Sequence, residues 1–287
     1  MLRSGTPWIY LAMNLSGKGR VAGLIGWPVG HSRSPMLHNY WLSRYGLDGA
    51  YVPLPVPPGR VEAAVRGLAA CGLAGVNVTI PHKIDVIPLC DHLSPAGRRA
   101  GAVNTLIFTP DGIVGDNTDG MGFLQHLRVS APCLGPGPAL VLGAGGAARA
   151  IAAALLAEGR PVVLCNRTIG RAEVLAAALP GLALIPWETR TEALAEMALL
   201  VNTTSLGMTG QPPLPMDLRA ARADLVVADI VYTPMLTLLL LDATARQLTA
   251  VGGLGMLLHQ AVGGFAAWFG VTPVVDAETV SLMTAAG

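Results

Sequence analysis

The stretch PALVLGAGGAARAIAAALLAEG, residues 138–159, is the strongest indication of the fold. A short apolar run typical of a buried strand leads into a glycine-rich turn, and an alanine-rich run typical of a helix follows. Gly143, Gly145 and Ala148 occupy the three positions of the G-x-G-x-x-G/A fingerprint. These small residues permit a tight turn, backbone approach to a pyrophosphate and close helix packing, and the helix start offers free N–H groups. The stretch predicts a dinucleotide-binding turn; a ligand-free glycine turn is the alternative.

The next strand indicates which dinucleotide the turn would bind. It ends at CNRTIGR, residues 165–171, about twenty residues past the fingerprint, where an NAD-specific site carries an acid for the ribose 2′-hydroxyl. This chain has Asn166, Arg167 and Thr168 there, with Arg171 one turn later. A guanidinium pairs with a 2′-phosphate, which an acid would repel, so we predict NADP. The alternative is that both arginines are simply solvated at a strand end.

Strand-like and helical segments alternate along almost the whole chain. Short apolar runs bounded by Gly and Pro, several of them nearly continuous, favour α/β layering with buried parallel strands. A Pro- and Gly-rich stretch, residues 130–138, is the most linker-like segment, and we expect a domain boundary near it. The predicted strands are 21–26, 50–55, 75–80, 103–108, 112–116, 139–143, 161–165, 199–202 and 225–230.

The composition excludes several classes of partner. The 287 residues include 19 basic and 18 acidic side chains, so the chain has neither a basic surface for nucleic acid nor an acidic tail. No set of histidines has metal-ligand spacing, and we predict no metal site. The four cysteines are far apart, as expected of reduced thiols in the cytoplasm: Cys71, Cys90, Cys133 and Cys165.

Two segments raise the question of a membrane or a targeting signal. Residues 247–275 contain no Asp, Glu, Lys or Arg, but several glycines and Pro273 interrupt the apolar run. We therefore predict a buried helix there rather than a membrane span. The first twenty residues lack a long apolar core, because Pro7 and Asn14 break it, and we expect a loosely attached extension rather than a signal peptide.

Polar residues interrupt four apolar stretches. VNVTIPHK (76–83) places Lys83 just beyond a buried strand, and GWPVGHSRSP (26–35) places serines before a helix. GAVNTL (101–106) carries Asn104, and GDNTDG (115–120) carries Asp119 at a strand-to-helix junction. Singly, these residues are compatible with a strand-end lysine reaching water, a helix cap, a turn former and an N-cap.

Together these motifs resemble those of the shikimate dehydrogenase family. HSRSP, NVTIPHK, GAVNT, GDNTDG, GAGGAAR, NRTIGRA, NTTSLGM and GLGMLLHQ occur in the family's order and approximate spacing, from about residue 20 to the end. The resemblance implies NADP-dependent, reversible reduction of 3-dehydroshikimate to shikimate, on the route to chorismate and the aromatic amino acids. It also implies an N-terminal α/β substrate domain, residues 1–118 with 253–287 returning to it through a C-terminal helix, and a Rossmann-like NADP domain, residues 119–252.

The resemblance also implies roles for individual residues. Ser32 and Ser34 resemble the hydroxyls that hold the substrate carboxylate, with Tyr232 reaching toward it from the cofactor side. The groups around the ring hydroxyls and the reacting carbon are Thr79, Lys83, Asn104, Asp119 and Gln260. The expected cofactor contacts are Gly143, Ala144, Gly145, Gly146 and Ala147 at the pyrophosphate, Asn166, Arg167, Thr168 and Arg171 at the 2′-phosphate, and Ile230 and Gly253 near the nicotinamide.

The expected chemistry needs a proton donor at the carbonyl oxygen. Lys83 is the lysine within these motifs and Asp119 would orient it, but whether Lys83 carries the proton alone or shares it with Asp119 stays open. His82, which is Phe in many family members, receives no catalytic role, and Ile230 stands where Met is frequent. A broader quinate/shikimate dehydrogenase and a non-catalytic NADP-binding regulator are the alternatives. Monomer and homodimer both remain open.

Overall fold

Two six-stranded sheets organise the chain in the computed structural model, which describes residues 15–285. Most of the expected N-terminal extension, residues 1–14, lies outside the described residues. Each sheet is covered by helices on both faces, as an α/β chain requires to bury its apolar strands. The mixed α/β architecture expected from the sequence is confirmed.

The first sheet is mixed. Its strands are β1 (Arg20–Gly26), β2 (Gly49–Pro55), β3 (Gly75–Val78), β4 (His92–Leu93), β5 (Thr105–Thr109) and β6 (Gly112–Asp116), in the spatial order β2-β1-β3-β5-β6-β4. The associated helices are α1 (Ser34–Arg44), α2 (Val61–Ala70) and α3 (Pro95–Ala100). β5 runs antiparallel to its neighbours β3 and β6. The carboxyl ends of β1, β3 and β6 therefore meet the start of β5 at one edge.

The second sheet is entirely parallel. Its strands are β7 (Ala139–Leu142), β8 (Val162–Cys165), β9 (Leu182–Leu184), β10 (Leu199–Asn202), β11 (Val226–Asp229) and β12 (Thr249–Val251), in the order β12-β11-β10-β7-β8-β9. The helices that follow β6 along the chain are α4 (Asp119–Ser130), α5 (Gly146–Ala157), α6 (Ile169–Ala178), α7 (Leu238–Ala245), α8 (Gly253–Phe269) and α9 (Ala277–Ala285), of which α8 and α9 pack against the first sheet and α1. This is the strand order of doubly wound dinucleotide-binding sheets. Successive strands are added on one side of β7 as far as β9 and then on its other side from β10 onward, so the order of the strands reverses between β7 and β10.

All nine predicted strands form, with ends within two residues of those expected. Three strands were not predicted: β4, β9 and β12. Each has only two or three residues, and their exposed and half-buried positions carry no alternation of apolar and polar side chains. A pattern of period two cannot be recognised over so short a run.

Helix α8 explains the long uncharged segment. It starts beside the second sheet and buries Leu258, Phe265 and Trp268 against α1 and the first sheet. The Trp268 indole N–H donates to the carbonyl of Leu106 in β5 at 3.0 Å. The predicted buried helix and its return to the first sheet are confirmed. Within residues 15–285, no helix is both long and apolar enough to cross a membrane.

A buried histidine in this aromatic core makes stability depend on pH. The His38 ring stacks on Tyr51, with ring centroids 4.0 Å apart, and neither ring nitrogen has a partner among the described residues. Burial lowers the pKa of His38 from 6.5 to about 3. The folded chain therefore stays neutral here while the unfolded chain binds a proton below pH 6.5, so stability is lost as pH falls from 6.5 toward 3.

We expect His38→Leu to remove this pH dependence. Between pH 7.5 and pH 5, wild type should lose about 2 kcal/mol of unfolding free energy relative to the variant, because each unit below the unfolded pKa costs about 1.4 kcal/mol. Urea unfolding of both proteins at a series of pH values measures this difference. Curves that run parallel from pH 7.5 to pH 5 would contradict the prediction.

Candidate active site

A buried ion pair lies where the two sheets face each other. Lys83 follows the end of β3, and its carbonyl accepts the Val103 N–H at 2.7 Å, which holds the segment after β3 against the chain leading into β5. Asp119 is the first residue of α4, directly beyond β6. The Lys83 ammonium donates to Asp119 Oδ2, and the two side chains are only 17% and 7% exposed. A charge-assisted bond that is largely shielded from water holds both groups in fixed positions.

Asn104 and Gln260 complete a polar cluster around this pair. Asn104 Nδ2 donates to Asp119 Oδ1 at 2.8 Å and lies 3.3 Å from Gln260 Oε1. Thr118 joins the cluster, since its N–H donates to Asn104 Oδ1 at 2.9 Å. Gln260 comes from α8, where α4 approaches so closely that a Cβ on Gly122 would lie 2.5 Å from the Gln260 nitrogen. The structure thus brings together four of the predicted site residues from four segments.

The cluster extends into the core through residues that the sequence analysis did not select. The Tyr51 hydroxyl donates to Asn77 Oδ1 at 2.6 Å. Asn77 Nδ2 donates to the Asn104 carbonyl at 3.1 Å and contacts the Thr105 hydroxyl at 3.2 Å. These bonds fix which face of the Asn77 amide points toward Asn104. Asn77 and Thr118 both lie inside quoted motifs, and a polar residue within the apolar strand β3 was the signal that could have revealed Asn77.

The predicted carboxylate-binding residues form a second group. Ser34 is buried at the start of α1, and its N–H lies 3.3 Å from Ser32 Oγ. Arg33, the N-cap residue of this helix, makes no side-chain capping bond. Tyr232 lies close to the same region, because the guanidinium carbon of Arg33 is 5.6 Å from the centre of the Tyr232 ring. Burial raises the pKa of Tyr232 and the Arg33 charge opposes that rise, so the phenol is protonated at neutral pH.

Two further residues after β3, Thr79 and His82, lie outside the polar cluster. Thr79 is half-buried and its N–H donates to the Ile25 carbonyl at 2.9 Å, but among residues 15–285 its hydroxyl has no hydrogen bond to the polar cluster. The His82 ring is fully buried, with Nε2 2.7 Å from the Val56 carbonyl oxygen. His82 therefore anchors the turn that carries Lys83 to the loop after β2, while the absence of a catalytic role stays a prediction.

The glycine turn after β7 lies directly against Lys83. Gly143 has φ +112°, and a Cβ there would lie 2.6 Å from the Thr203 hydroxyl, so the turn requires glycine. A Cβ on Gly146 would lie 3.0 Å from Lys83 Cδ. No side chain of the described residues caps α5, so the N–H groups of Gly146 and Ala147 are available to a phosphate. Ala144 completes the turn.

The end of β8 borders a cavity of about 260 Å³. Arg167 and Trp187 line it, while Asn166 folds its amide onto the Thr168 carbonyl at 2.7 Å. Within the described part of the chain, neither the Arg167 nor the Arg171 guanidinium has a hydrogen-bond or ion-pair partner. A larger cavity of about 390 Å³, between α3, α4 and α5, contains none of the predicted site residues.

Ile230 and Gly253 meet at the other side of the crevice. Gly253 begins α8, and a Cβ there would lie 2.2 Å from the Ile230 carbonyl oxygen. This close approach joins the loop after β11 to the helix that carries Gln260. The loop is fixed by Asp229, which accepts from the Val231 N–H at 3.0 Å and the Thr237 hydroxyl at 2.8 Å.

A dinucleotide-type glycine turn packed against a buried ammonium donor defines the class of protein. In a doubly wound sheet a dinucleotide lies across the crevice at the strand reversal, which here is the edge that faces Lys83, Asn104 and Gln260. Reduction of a carbonyl by hydride transfer also needs a proton for the oxygen, and a donor at this position can supply it. The chain is an α/β oxidoreductase of the nicotinamide-dinucleotide class.

Comparison with known proteins gives the particular family. Residues 24–106 match the family model described as the shikimate dehydrogenase substrate binding domain. Shikimate dehydrogenase (NADP(+)) of Acidiphilium cryptum is 61% identical over 264 residues, covering 92% of this chain and 95% of the relative. The chain belongs to the shikimate dehydrogenase family.

Solved structures share the whole fold. Shikimate 5-dehydrogenase from Thermus thermophilus, in complex with NADP(H) and shikimate, superimposes with a TM-score of 0.84 at 35% identity, covering 93% of this chain and 99% of that one. Quinate dehydrogenase from Corynebacterium glutamicum, in complex with NAD, gives a TM-score of 0.84 at 28% identity, covering 93% and 98%. The fold therefore accommodates both substrates and both cofactors among its members.

Proposed function

We propose that this chain catalyses the NADP-dependent, reversible reduction of 3-dehydroshikimate to shikimate, on the route to chorismate and the aromatic amino acids. One observation carries the proposal: Gly146 of the glycine turn lies against the side chain of Lys83, whose ammonium is held by Asp119. A proton donor is thereby placed beside the dinucleotide turn, as the reduction of a carbonyl group requires. The relatives named above support the choice of substrate and cofactor.

On the substrate side, the polar cluster offers donors and acceptors for a ring carrying several hydroxyl groups. We assign the reacting carbon and the ring hydroxyls to Thr79, Lys83, Asn104, Asp119 and Gln260. Ser32, Ser34 and Tyr232 take the carboxylate, because two hydroxyls at a helix start and a protonated phenol are all donors to an anion. The substrate is then held at both ends.

On the cofactor side, the residues fit NADP. The turn from Gly143 to Ala147 offers free backbone N–H groups to a pyrophosphate. We assign the 2′-phosphate to Asn166, Arg167, Thr168 and Arg171, of which Asn166 and Arg167 line the cavity at the end of β8 together with Glu188. Two guanidinium groups without partners among the described residues supply the charge that this phosphate needs. We assign the nicotinamide to the place where the carbonyl of Ile230 meets the start of α8 at Gly253. NADPH, when bound, supplies a hydride to C3 of 3-dehydroshikimate.

The chain's own residues manage the proton. Lys83 Nζ donates it to the C3 oxygen as negative charge develops there, and accepts it from the C3 hydroxyl in the reverse reaction. Asp119 orients Lys83, and Asn104 holds the second carboxylate oxygen of Asp119 at 2.8 Å. Because the Lys83 side chain is 17% exposed, it can exchange the proton with water between turnovers.

Two alternatives are tested by a single assay. A broader quinate/shikimate dehydrogenase would oxidise both substrates, and a non-catalytic NADP-binding regulator would oxidise neither. The experiment follows the absorbance of reduced nicotinamide with shikimate or quinate, each combined with NADP or NAD. We expect turnover of shikimate with NADP to exceed every other combination. Comparable rates with quinate would favour the broader enzyme, and no turnover in any combination would overturn the proposed function.

Arg167→Ala tests the choice of cofactor. We expect the KM for NADP to rise about 10- to 100-fold, the loss expected for a charge-assisted pair with phosphate, and the KM for NAD to change less than about threefold. Steady-state kinetics with each cofactor measures both. Arg128→Ala is a matched control, because Arg128 is exposed and pairs with Glu158, the residue just after α5. Equal effects on NADP and NAD would show that Arg167 does not recognise the 2′-phosphate.

We also propose how the chain divides these tasks and where it works. Residues 1–118, with 253–287 returning, form the substrate domain, and residues 119–252 form the NADP domain. All four cysteines are free, which supports a cytoplasmic location. Light scattering of the purified protein distinguishes a monomer from a homodimer.

A further inference from the structure

Arg33 occupies a position that none of the roles above uses. It lies between Ser32 and Ser34, at the residue just before α1. Its side chain does not extend into water but crosses to two other segments of the chain. Its Nη1 donates to the carbonyl of Met283 in α9 at 3.0 Å and lies 3.6 Å from Met235 Sδ in the loop after β11.

The contacts of this guanidinium are all neutral. Its carbon lies 5.6 Å from the centre of the Tyr232 ring, within the range of a cation–π interaction. Among the described residues no carboxylate forms an ion pair with Arg33, in contrast to Arg44 on the same helix, which pairs with Asp276 at 2.6 Å. The positive charge of Arg33 therefore remains uncompensated inside a half-buried contact.

We infer that Arg33 is the positioning residue of the carboxylate subsite: it holds Tyr232 against the serine turn and supplies the positive charge that this subsite otherwise lacks. The inference rests on the proposed function, because it assumes that Ser32, Ser34 and Tyr232 bind the substrate carboxylate. The other cationic group in the site, the Lys83 ammonium, is already paired with Asp119. Arg33 thus favours a carboxylate over a neutral group at this end of the substrate, through Tyr232 rather than by direct contact.

The arrangement also links three regions. The turn before α1 belongs to the first sheet, Tyr232 and Met235 follow β11 of the second sheet, and Met283 belongs to α9. A single side chain that bonds or packs against all three keeps the serine hydroxyls and the phenol on opposite sides of one anion. Without the Arg33 side chain, the serine hydroxyls and the Tyr232 phenol would still be present, but nothing would hold them at a fixed distance from each other.

The test compares shikimate with its uncharged methyl ester. In Arg33→Met, which keeps the length of the side chain, we expect kcat/KM for shikimate to fall about 10- to 100-fold, mainly through KM, as for one lost charge-assisted interaction. For the methyl ester we expect a change of less than about threefold, since its ester group gains nothing from the charge. The KM for NADP should stay unchanged. Arg33→Lys, which keeps the charge and the cation–π contact, should recover most of the loss.

The controls separate this role from a structural one. Arg66→Met, an exposed arginine on α2, is expected to behave as wild type with both substrates. Thermal unfolding of each variant shows whether it folds, and Arg33→Lys keeps the question answerable if Arg33→Met does not. Equal losses with the acid and the ester, or no loss with either, would overturn the inference. Failure of the wild-type protein to oxidise shikimate at all would instead overturn the proposed function.

Discussion

Lys83→Ala is expected to lower kcat about 100- to 10,000-fold, the range for loss of a positioned general acid, while the KM for shikimate changes little. The physical reason is that the ammonium acts most strongly on the charge that develops at the C3 oxygen during hydride transfer. The ring hydroxyls keep their other partners, Asn104 and Gln260, so binding in the ground state is largely preserved. Steady-state kinetics in both directions measures the two constants.

The chain offers a matched control for this variant. It contains two lysines, and Lys18 is exposed near the start of β1. Lys18→Ala should therefore keep the kcat of wild type. The turn after β3 is held by backbone bonds, such as the one from the Val103 N–H to the Lys83 carbonyl, so loss of the side chain leaves its course intact.

Small primary amines provide a second measurement. Because Lys83→Ala removes three carbons and an ammonium from beside Asp119, ethylamine in the buffer can place a new ammonium there. We expect the kcat of Lys83→Ala to rise with amine concentration and the kcat of wild type to stay constant. If Lys83→Ala turned over at the wild-type rate without amine, Lys83 would have no part in the chemistry.

The local features of the site could be predicted from the sequence. Strand ends, the glycine turn and the junction before α4 follow from apolar runs interrupted by polar residues, and all nine predicted strands formed. Parallel strand order then places Gly143 and Asn166 at one edge. The family resemblance added what periodicity could not: that Lys83, Asn104, Asp119 and Gln260 belong to a single site.

Contacts between distant segments could not be predicted from the pattern. The bond from Arg33 to Met283 spans 250 positions, and nothing in either neighbourhood marks it. The approach of α4 to α8 at Gly122 depends on the packing of both helices against different sheets. Trp187, in a short 3-10 helix after β9, has no motif around it, although it lines the cavity beside Arg167.

Asp119→Asn, the second large effect, is expected to lower kcat about 100- to 1,000-fold, because it disturbs the group that positions the proton donor. Each carboxylate oxygen of Asp119 accepts from a different donor: Oδ1 from Asn104 Nδ2 at 2.8 Å and Oδ2 from Lys83 Nζ. An asparagine has one acceptor oxygen and one NH₂ group. Whichever way its amide turns, its NH₂ group faces one of these two donors, so one of the two bonds is lost.

Asp85→Asn is the control for this substitution. Asp85 lies two residues beyond Lys83, its side chain is 60% exposed, and its Oδ2 lies 3.9 Å from Nδ1 of the His82 ring. We expect the kcat of Asp85→Asn to equal that of wild type. Full turnover by Asp119→Asn would show that Lys83 needs no partner to hold it.

The double variant Lys83→Ala/Asp119→Asn decides whether Asp119 acts only by orienting Lys83 or also binds the substrate. If Asp119 acts only by orienting Lys83, its loss costs nothing further once Lys83 is gone, and the double variant has the kcat of Lys83→Ala. If Asp119 also binds a ring hydroxyl, the double variant shows an additional rise in the KM for shikimate. We expect the second result, because the Asp119 carboxylate accepts from Asn104 as well as from Lys83, and Asn104 in turn contacts Thr118 and Gln260. The bond from Asn104 to Asp119 does not depend on Lys83. The Asp119 carboxylate can therefore accept a substrate hydroxyl even when Lys83 is absent.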